Sequence, residues 1–183
     1  PDAPGKFPVV LQRTPYDNGT AGYVRRGRFY ASHGFVCVVQ DVRGRGDSEG
    51  EFYPLRHEAE DGYDAQTWCG TQEWSTGNVG TRGGSYEGWT QVYSAPLNNP
   101  YLKAMMPNVT PPDPVKNIPV QYGAYSLSMA SWLAYTADRT LQDISQHDLM
   151  AIYRTLPLSG MDRLLGRNLK VWQDWLAHPG LDD

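Results

Sequence analysis

The chain has 183 residues, a formal net charge of −4 and 40% hydrophobic residues. This composition is that of a globular protein, and the acidic balance gives no electrostatic reason to expect nucleic acid or an anionic membrane as a partner. No apolar run reaches the ~18 residues of a membrane span. We expect a soluble protein and favour the cytoplasm. The chain begins without a methionine and almost directly with a strand, so its start reads as a cut edge and leaves the compartment open.

Strand-like and helix-like segments alternate along the first 110 residues. In chain order they are a strand at 7–12, a helix at 22–32, a strand at 35–40, a helix at 58–69, a strand at 78–84, a helix at 86–97 and a strand at 102–107. The run at 35–40 is continuously apolar, which predicts a strand covered on both faces. Ala65, Trp68 and Cys69 share one face of the second helix. The alternation predicts a parallel sheet with right-handed crossovers.

The pattern changes after Thr110. A proline-rich run at 111–114 marks a boundary, and apolar stripes with helical spacing follow at 129–136, 149–156 and 169–176. No strand-like run reappears. We therefore expect the sheet to occupy residues 1–110 and a helical insertion to occupy residues 111–183.

Ser85 lies on a glycine-rich turn between a predicted strand and a predicted helix. An α/β-hydrolase carries its nucleophile on such a turn, because the strained geometry lifts the serine Oγ above the sheet edge. Gly83 and Gly84 precede the serine, and Gly88 would allow close contact one helical turn later. The common GxSxG pattern is not met, since Glu87 stands where its second glycine would be. A purely structural glycine-serine turn is the alternative.

Several segments together resemble one family. Residues 83–88, GGSYEG, are similar to the GxSYxG elbow of the cocaine esterase/X-Pro dipeptidyl-peptidase family of α/β-hydrolases. Residues 41–50 resemble the family's DxRGxGxSxG loop, and residues 13–17 resemble its segment with an oxyanion-hole tyrosine. Residues 58–64 and 74–80 resemble the approach to the serine strand. The resemblance covers most of residues 7–110 and, weakly, the helical remainder.

The resemblance implies an α/β-hydrolase fold with a mostly parallel sheet in three layers, incomplete here. Residues 1–110 would be the N-terminal part of the catalytic domain, and residues 111–183 would begin a helical cap. Ser85 would attack an ester or amide carbonyl and form an acyl-enzyme. The backbone N–H of Tyr86 and the phenol of Tyr16, a neutral donor at pH 7, would hold the oxyanion. Without the resemblance, Tyr16 would be interpreted as an ordinary tyrosine in a turn. The side chain of Tyr86 would be interpreted as a packing residue.

A serine nucleophile requires a histidine base and a carboxylate that orients it. In this fold both follow the serine at the ends of later strands. Only His147 and His178 follow Ser85, and neither comes after a strand-like run. We therefore expect the acid and the histidine beyond Asp183. We also expect residues 1–183 alone to fold poorly or expose apolar surface, and to be inactive.

The substrate class stays open at this stage. Small-molecule esters, amides of the acylase type and short peptides with proline in second position all occur in the family. A non-catalytic binding module that kept the fold is the alternative from another class. No cofactor is expected, and the oligomeric state is left open.

Other motifs carry less weight. No His, Asp or Glu cluster has the spacing of metal ligands, so no metal site is expected. Cys37 and Cys69 are expected to be buried thiols. The sequence Arg45-Gly46-Asp47 matches a cell-adhesion tripeptide, but it lies in a loop that the family pattern already explains.

Overall fold

The computed structural model describes residue 1, residues 3–110 and residues 118–178. The chain divides into two compact units, Pro1–Thr110 and Pro111–Asp183. The proline-rich run predicted to mark a boundary, at 111–114, lies outside the described residues.

Strands and helices alternate along the first unit. They are β1 (Phe7–Thr14), α1 (Ala21–Ser32), β2 (Val36–Asp41), α2 (Glu58–Thr71), β3 (Ser75–Gly84), α3 (Tyr86–Ser94) and β4 (Leu102–Asn108), with a 3₁₀ turn at Ala95–Leu97. The strands form one sheet in the order β2-β1-β3-β4, and every neighbouring pair is parallel. The parallel sheet predicted from the alternating pattern is confirmed.

Helices cover both faces of this sheet. Val9 and Leu11 of β1 are buried in a core cluster with Ala65 of α2. Thr14 of the same strand hydrogen-bonds instead to Tyr23 of α1. Because successive side chains of a strand point to opposite faces, α1 and α2 lie on opposite sides of the sheet. The first unit therefore has three layers.

The strand β2 is less buried than its sequence predicts. Residues 36–40 are half-buried, so Cys37 is only partly covered, whereas Cys69 is fully buried. The reason is that β2 forms one edge of this sheet, and α1 packs against one of its faces. On the other side, Val38 lines a groove of about 830 Å³ together with Trp68. Trp68 is 53% exposed, whereas Ala65 and Cys69, which were predicted on the same face of α2, are buried.

The second unit is mostly helical. Its elements are β5 (Val120–Gln121), β6 (Ala124–Tyr125), α4 (Ser128–Tyr135), α5 (Leu149–Tyr153), a 3₁₀ turn at Leu158–Gly160, α6 (Met161–Leu164) and α7 (Lys170–Ala177). A core around the fully buried Trp172 joins the helices. The predicted stripes fall on α4, α5 and α7, although α5 ends earlier than its stripe.

The hairpin of β5 and β6 was not predicted. Tyr122 and Gly123 both have positive φ, as a tight hairpin turn requires. Each strand has only two residues, too few for an alternating pattern to be detected. Within residues 3–110 and 118–178, no helix is long and apolar enough to cross a membrane.

Candidate active site

Ser85 occupies a sharp turn between β3 and α3. Its backbone has φ 57° and ψ −122°, a region that residues other than glycine rarely adopt and that costs about 1–3 kcal/mol. Ser85 is exposed, although Gly84 before it is half-buried and Gly83 and Tyr86 are buried. The turn therefore presents the hydroxyl at the carboxyl edge of the sheet, as a nucleophile requires.

Two glycines make this turn sterically feasible. A Cβ on Gly83 would lie 2.8 Å from Glu87 Oε2 and closer still to Glu87 Cβ, and Gly83 also has φ 143°. A Cβ on Gly88 would lie 2.9 Å from Thr110 Cβ and closer to its Oγ1. The close contact expected at Gly88 is present. Glu87 occupies the position that is glycine in the common GxSxG pattern. Its side chain fits there because Gly83 has no Cβ to occupy the same space.

The end of β4 holds the serine turn in place. The Ser85 N–H donates to the carbonyl of Asn108 at 2.9 Å. The hydroxyl of Thr110 donates to the Ser85 carbonyl at 3.3 Å, and the N–H groups of Gly88 and Trp89 bond to the same carbonyl. The strained backbone is thus fixed on both sides by hydrogen bonds.

Tyr86 anchors the first turn of α3. Its ring is buried, and its hydroxyl donates to Glu58 Oε1 at 2.7 Å and accepts the Leu55 N–H at 3.0 Å. Burial, and then the charge of Glu58, raise the pKa of this phenol well above its usual value. Glu58 in turn forms a buried ion pair with Arg13 at 2.8 Å. The tyrosine side chain therefore ties the serine turn to α2 and β1.

The backbone N–H of Tyr86 lies at the N-terminal end of α3, directly after Ser85. It belongs to the first residue of α3, and the first N–H groups of a helix have no acceptor within the helix. The helix dipole adds partial positive charge at this end. Together these features favour an anion beside Ser85.

Tyr16 lies just beyond β1, at the same edge of the sheet as Ser85. β1 and β3 are adjacent and parallel, with Leu11 opposite Thr81. Tyr16 is five positions beyond Leu11 and Ser85 is four beyond Thr81, so the two residues follow neighbouring strand ends. Tyr16 is half-buried, and its N–H donates to Thr14 Oγ1 at 3.1 Å.

The loop after β2 holds the Tyr16 segment. Arg45 is fully buried and donates from Nε to the Pro15 carbonyl at 2.9 Å. Asp41 accepts the Asn18 N–H at 2.9 Å, and burial is the main cause that raises the pKa of Asp41. A Cβ on Gly46 would lie 2.5 Å from Asp41 Cγ, which explains a glycine there. Because Arg45 is buried, the adhesion-type tripeptide is not presented for recognition.

The groove beside β2 is separate from this turn, since neither Ser85 nor Tyr16 lines it. In the part of the chain that the structure describes, no group of three or more His, Cys, Asp or Glu side chains could hold a metal ion.

The histidines of the first unit lie away from the turn. His33 follows the C-terminal end of α1, where it stacks on Phe29 with ring centroids 4.3 Å apart, and His57 precedes α2. Neither hydrogen-bonds to Ser85 among residues 3–110. His147 and His178 belong to the second unit.

Three residues that support the site were not predicted from the sequence as functional: Arg45, Glu58 and Glu87. Arg45 and Glu58 lie within family-like segments, so their position in those motifs was an available signal. For Glu87 the signal was its place at an elbow position that is commonly glycine.

Comparison with known proteins shows which family the chain belongs to. The family model of the X-Pro dipeptidyl-peptidases (S15 family) matches residues 1–183. Cocaine esterase from Rhodococcus sp. (strain MB1 Bresler) is 38% identical over 117 residues, which are 62% of this chain and 20% of that protein.

Two solved structures extend the comparison to the fold. A CocE/NonD family hydrolase from Staphylococcus aureus has a TM-score of 0.65 and 29% identity, over 80% of this chain and 31% of that one. An aminopeptidase from a marine sediment Thaumarchaeota archaeon has a TM-score of 0.80 and 24% identity, over 100% of this chain and 35% of that one, which shows the fold alone. This chain thus spans about a fifth to a third of the length of these relatives. It has the α/β-hydrolase-type fold, and it belongs to the X-Pro dipeptidyl-peptidase family, S15.

Proposed function

We propose that this protein is a serine hydrolase that cleaves small ester or amide bonds through an acyl-enzyme on Ser85. The observation that carries the proposal is the exposed, positive-φ serine on the turn between β3 and α3. Membership of the family and the names of its relatives, an esterase and a CocE/NonD hydrolase, support hydrolysis as the reaction.

In the proposed reaction, Ser85 Oγ bonds to the substrate's carbonyl carbon and passes its proton to a base. The carbonyl oxygen becomes an oxyanion, which accepts hydrogen bonds from the Tyr86 N–H and the Tyr16 hydroxyl. The bond to the leaving group then breaks as that group takes up the proton. Water attacks the acyl-enzyme in the same way and releases the acid. The base and its carboxylate are not assigned to residues of this chain, and inactivity of residues 1–183 alone stays an expectation.

Two further assignments belong to the proposal. Residues 1–110 would be the N-terminal part of the catalytic domain, and residues 111–183 a helical insertion of the cap type. The helices α4 to α7 and their common core around Trp172 support an insertion that folds around its own apolar residues.

The alternative to an esterase or acylase is an X-Pro dipeptidyl-peptidase, and the two functions differ in the substrate that is cleaved. The family supports the peptidase by its description, whereas the 38% identical relative is an esterase. Full-length protein assayed with p-nitrophenyl acyl esters and with Xaa-Pro amides separates them. Only a peptidase should prefer the amide and require the substrate's free amino terminus.

Labelling with a fluorophosphonate tests the nucleophile. We expect the full-length protein to be labelled and Ser85→Ala to show no labelling. Ser94→Ala is the matched control, because Ser94 is a buried serine of the same helix whose hydroxyl accepts from Gln66 at 2.9 Å. Labelling that persists in Ser85→Ala would remove Ser85 from the mechanism. A full-length protein without any labelling or turnover would favour the non-catalytic binding module.

A further inference from the structure

A continuous series of hydrogen bonds joins the Tyr16 segment to the helix that follows Ser85. The Tyr16 N–H donates to Thr14 Oγ1 at 3.1 Å, and Thr14 Oγ1 lies 2.7 Å from the Tyr23 hydroxyl. The Tyr23 hydroxyl bonds to Oε1 of Glu87. The series therefore begins at the backbone of Tyr16, whose hydroxyl is the proposed oxyanion donor, and ends two residues after the proposed nucleophile.

The protons in this series have one consistent direction. An ionised carboxylate only accepts, so the Tyr23 hydroxyl donates its single proton to Glu87. Tyr23 must then accept the Thr14 hydroxyl proton, which leaves Thr14 Oγ1 to accept from the Tyr16 N–H. Burial and the bond to Glu87 raise the pKa of Tyr23, while the bond to Thr14 lowers it. These directions match a tyrosine that donates to Glu87 and accepts from Thr14.

The other oxygen of Glu87 is held as firmly. Gln12 Nε2 donates to Glu87 Oε2 at 2.6 Å. The Gln12 amide oxygen accepts from Arg82 at 2.9 Å and from Arg26 at 3.1 Å, so the orientation of the amide is determined. Glu87 itself is 8% exposed. Both carboxylate oxygens thus have fixed partners, and the side chain has little freedom to move.

Resting on the proposed function, we propose that Glu87 is a positioning residue that sets Tyr16 relative to Ser85 through Tyr23 and Thr14. The effect is preorganisation. An oxyanion donor lowers the barrier only when it already points to the place where the charge develops. Through the series, the position of the Tyr16 main chain depends on α3, the helix that follows Ser85. The elbow position that is commonly glycine thereby acquires a function in catalysis.

A double-mutant cycle in the full-length protein tests this proposal, with p-nitrophenyl ester hydrolysis as the readout. Thr14→Val removes the hydroxyl in the middle of the series at nearly unchanged volume. We expect it to lower kcat about 10- to 100-fold with KM changed by about twofold or less. Thr14→Ser keeps the hydroxyl and should retain kcat within about threefold of the wild type.

The decisive comparison uses a Tyr16→Phe background. If the series acts through Tyr16, Thr14→Val should change kcat there by about twofold or less, because its route of action is already lost. An equal loss in both backgrounds, or a wild-type kcat for Thr14→Val, would overturn the proposal. Tyr23→Phe gives the same cycle should Thr14→Val fail to fold, and Ser94→Ala controls for the loss of a buried hydrogen bond.

Failure of the proposed function gives a different result. In that case Ser85→Ala keeps its fluorophosphonate labelling or its ester turnover, whatever the cycle shows. If Ser85→Ala is inactive while Thr14→Val behaves alike in both backgrounds, only the positioning role of Glu87 is wrong.

Discussion

Gly88→Ala should destabilise the full-length protein, although alanine is the better helix former. The added Cβ would lie 2.9 Å from Thr110 Cβ and closer to Thr110 Oγ1, below the 3.0 Å that such contacts require. Thr110 cannot simply turn away, because its hydroxyl shares its one proton between the carbonyls of Asn108 at 2.9 Å and Ser85 at 3.3 Å. Either these hydrogen bonds break or α3 moves away from β4.

The expected change in the free energy of unfolding combines one stabilising contribution with two destabilising ones. Alanine in place of glycine in a helix gains about 0.5–1 kcal/mol. Overpacking costs about 1–3 kcal/mol, and each lost hydrogen bond costs about 1 kcal/mol more. The free energy of unfolding should therefore fall by about 1–3 kcal/mol. The rate of Ser85 labelling should fall as well, since Thr110 contacts the serine turn directly.

Urea unfolding followed by tryptophan fluorescence measures the change. Gly27→Ala is the matched control, because Gly27 lies inside α1 and a Cβ there meets nothing within 4 Å. This variant should gain about 0.5–1 kcal/mol. Thr110→Ala removes the hydroxyl and should reduce the cost of Gly88→Ala. If Gly88→Ala stabilises as much as Gly27→Ala does, the steric reasoning is refuted.

Three further changes probe the surroundings of the site. Glu58→Gln removes the nearer carboxylate of the buried Arg13, at 2.8 Å, and leaves Asp61 at 3.7 Å, so urea unfolding should show a loss of about 3 kcal/mol, the low end for a broken buried pair; a loss under about 1 kcal/mol, the value for an exposed pair, would contradict this. Arg45→Lys keeps the charge but not the placed Nε–H, so ester hydrolysis should lose about tenfold in kcat, and an unchanged kcat would show that the Pro15 contact is dispensable. Burial raises the pKa of Cys69 from 9.0 to about 12, so the folded thiol keeps a proton that the unfolded chain releases. The stability that this group contributes is present below pH 9 and is lost as the pH rises toward 12. Cys69→Ala should therefore reduce the alkaline fall in the free energy of unfolding. An identical fall in both proteins would contradict this.

Much of the first unit follows from local sequence. The apolar runs and the helical spacing predict the alternating strands and helices, because both patterns depend only on which residues face the core. The turn at Ser85 is also predictable from local sequence. Gly83 and Gly88 indicate positions where the chain packs too closely for a side chain. The local pattern was less informative about burial. It placed Trp68 on one face with Ala65 and Cys69, which alone of the three are buried, and it made β2 a fully covered strand. Apolar character alone does not show which neighbours an edge strand has.

What surrounds Ser85 was decided only by the tertiary structure. Glu87 is only two residues from Ser85 in sequence, but its partners Gln12 and Tyr23 come from β1 and α1, and no local spacing connects them. Glu58 reaches Tyr86 across 28 positions in the same way. Such pairs form when the parallel sheet brings strand ends to one edge, which a one-dimensional pattern does not encode. The sequence alone therefore determined the serine and its turn, and the packing of β1, α1 and α2 determined how that turn is held.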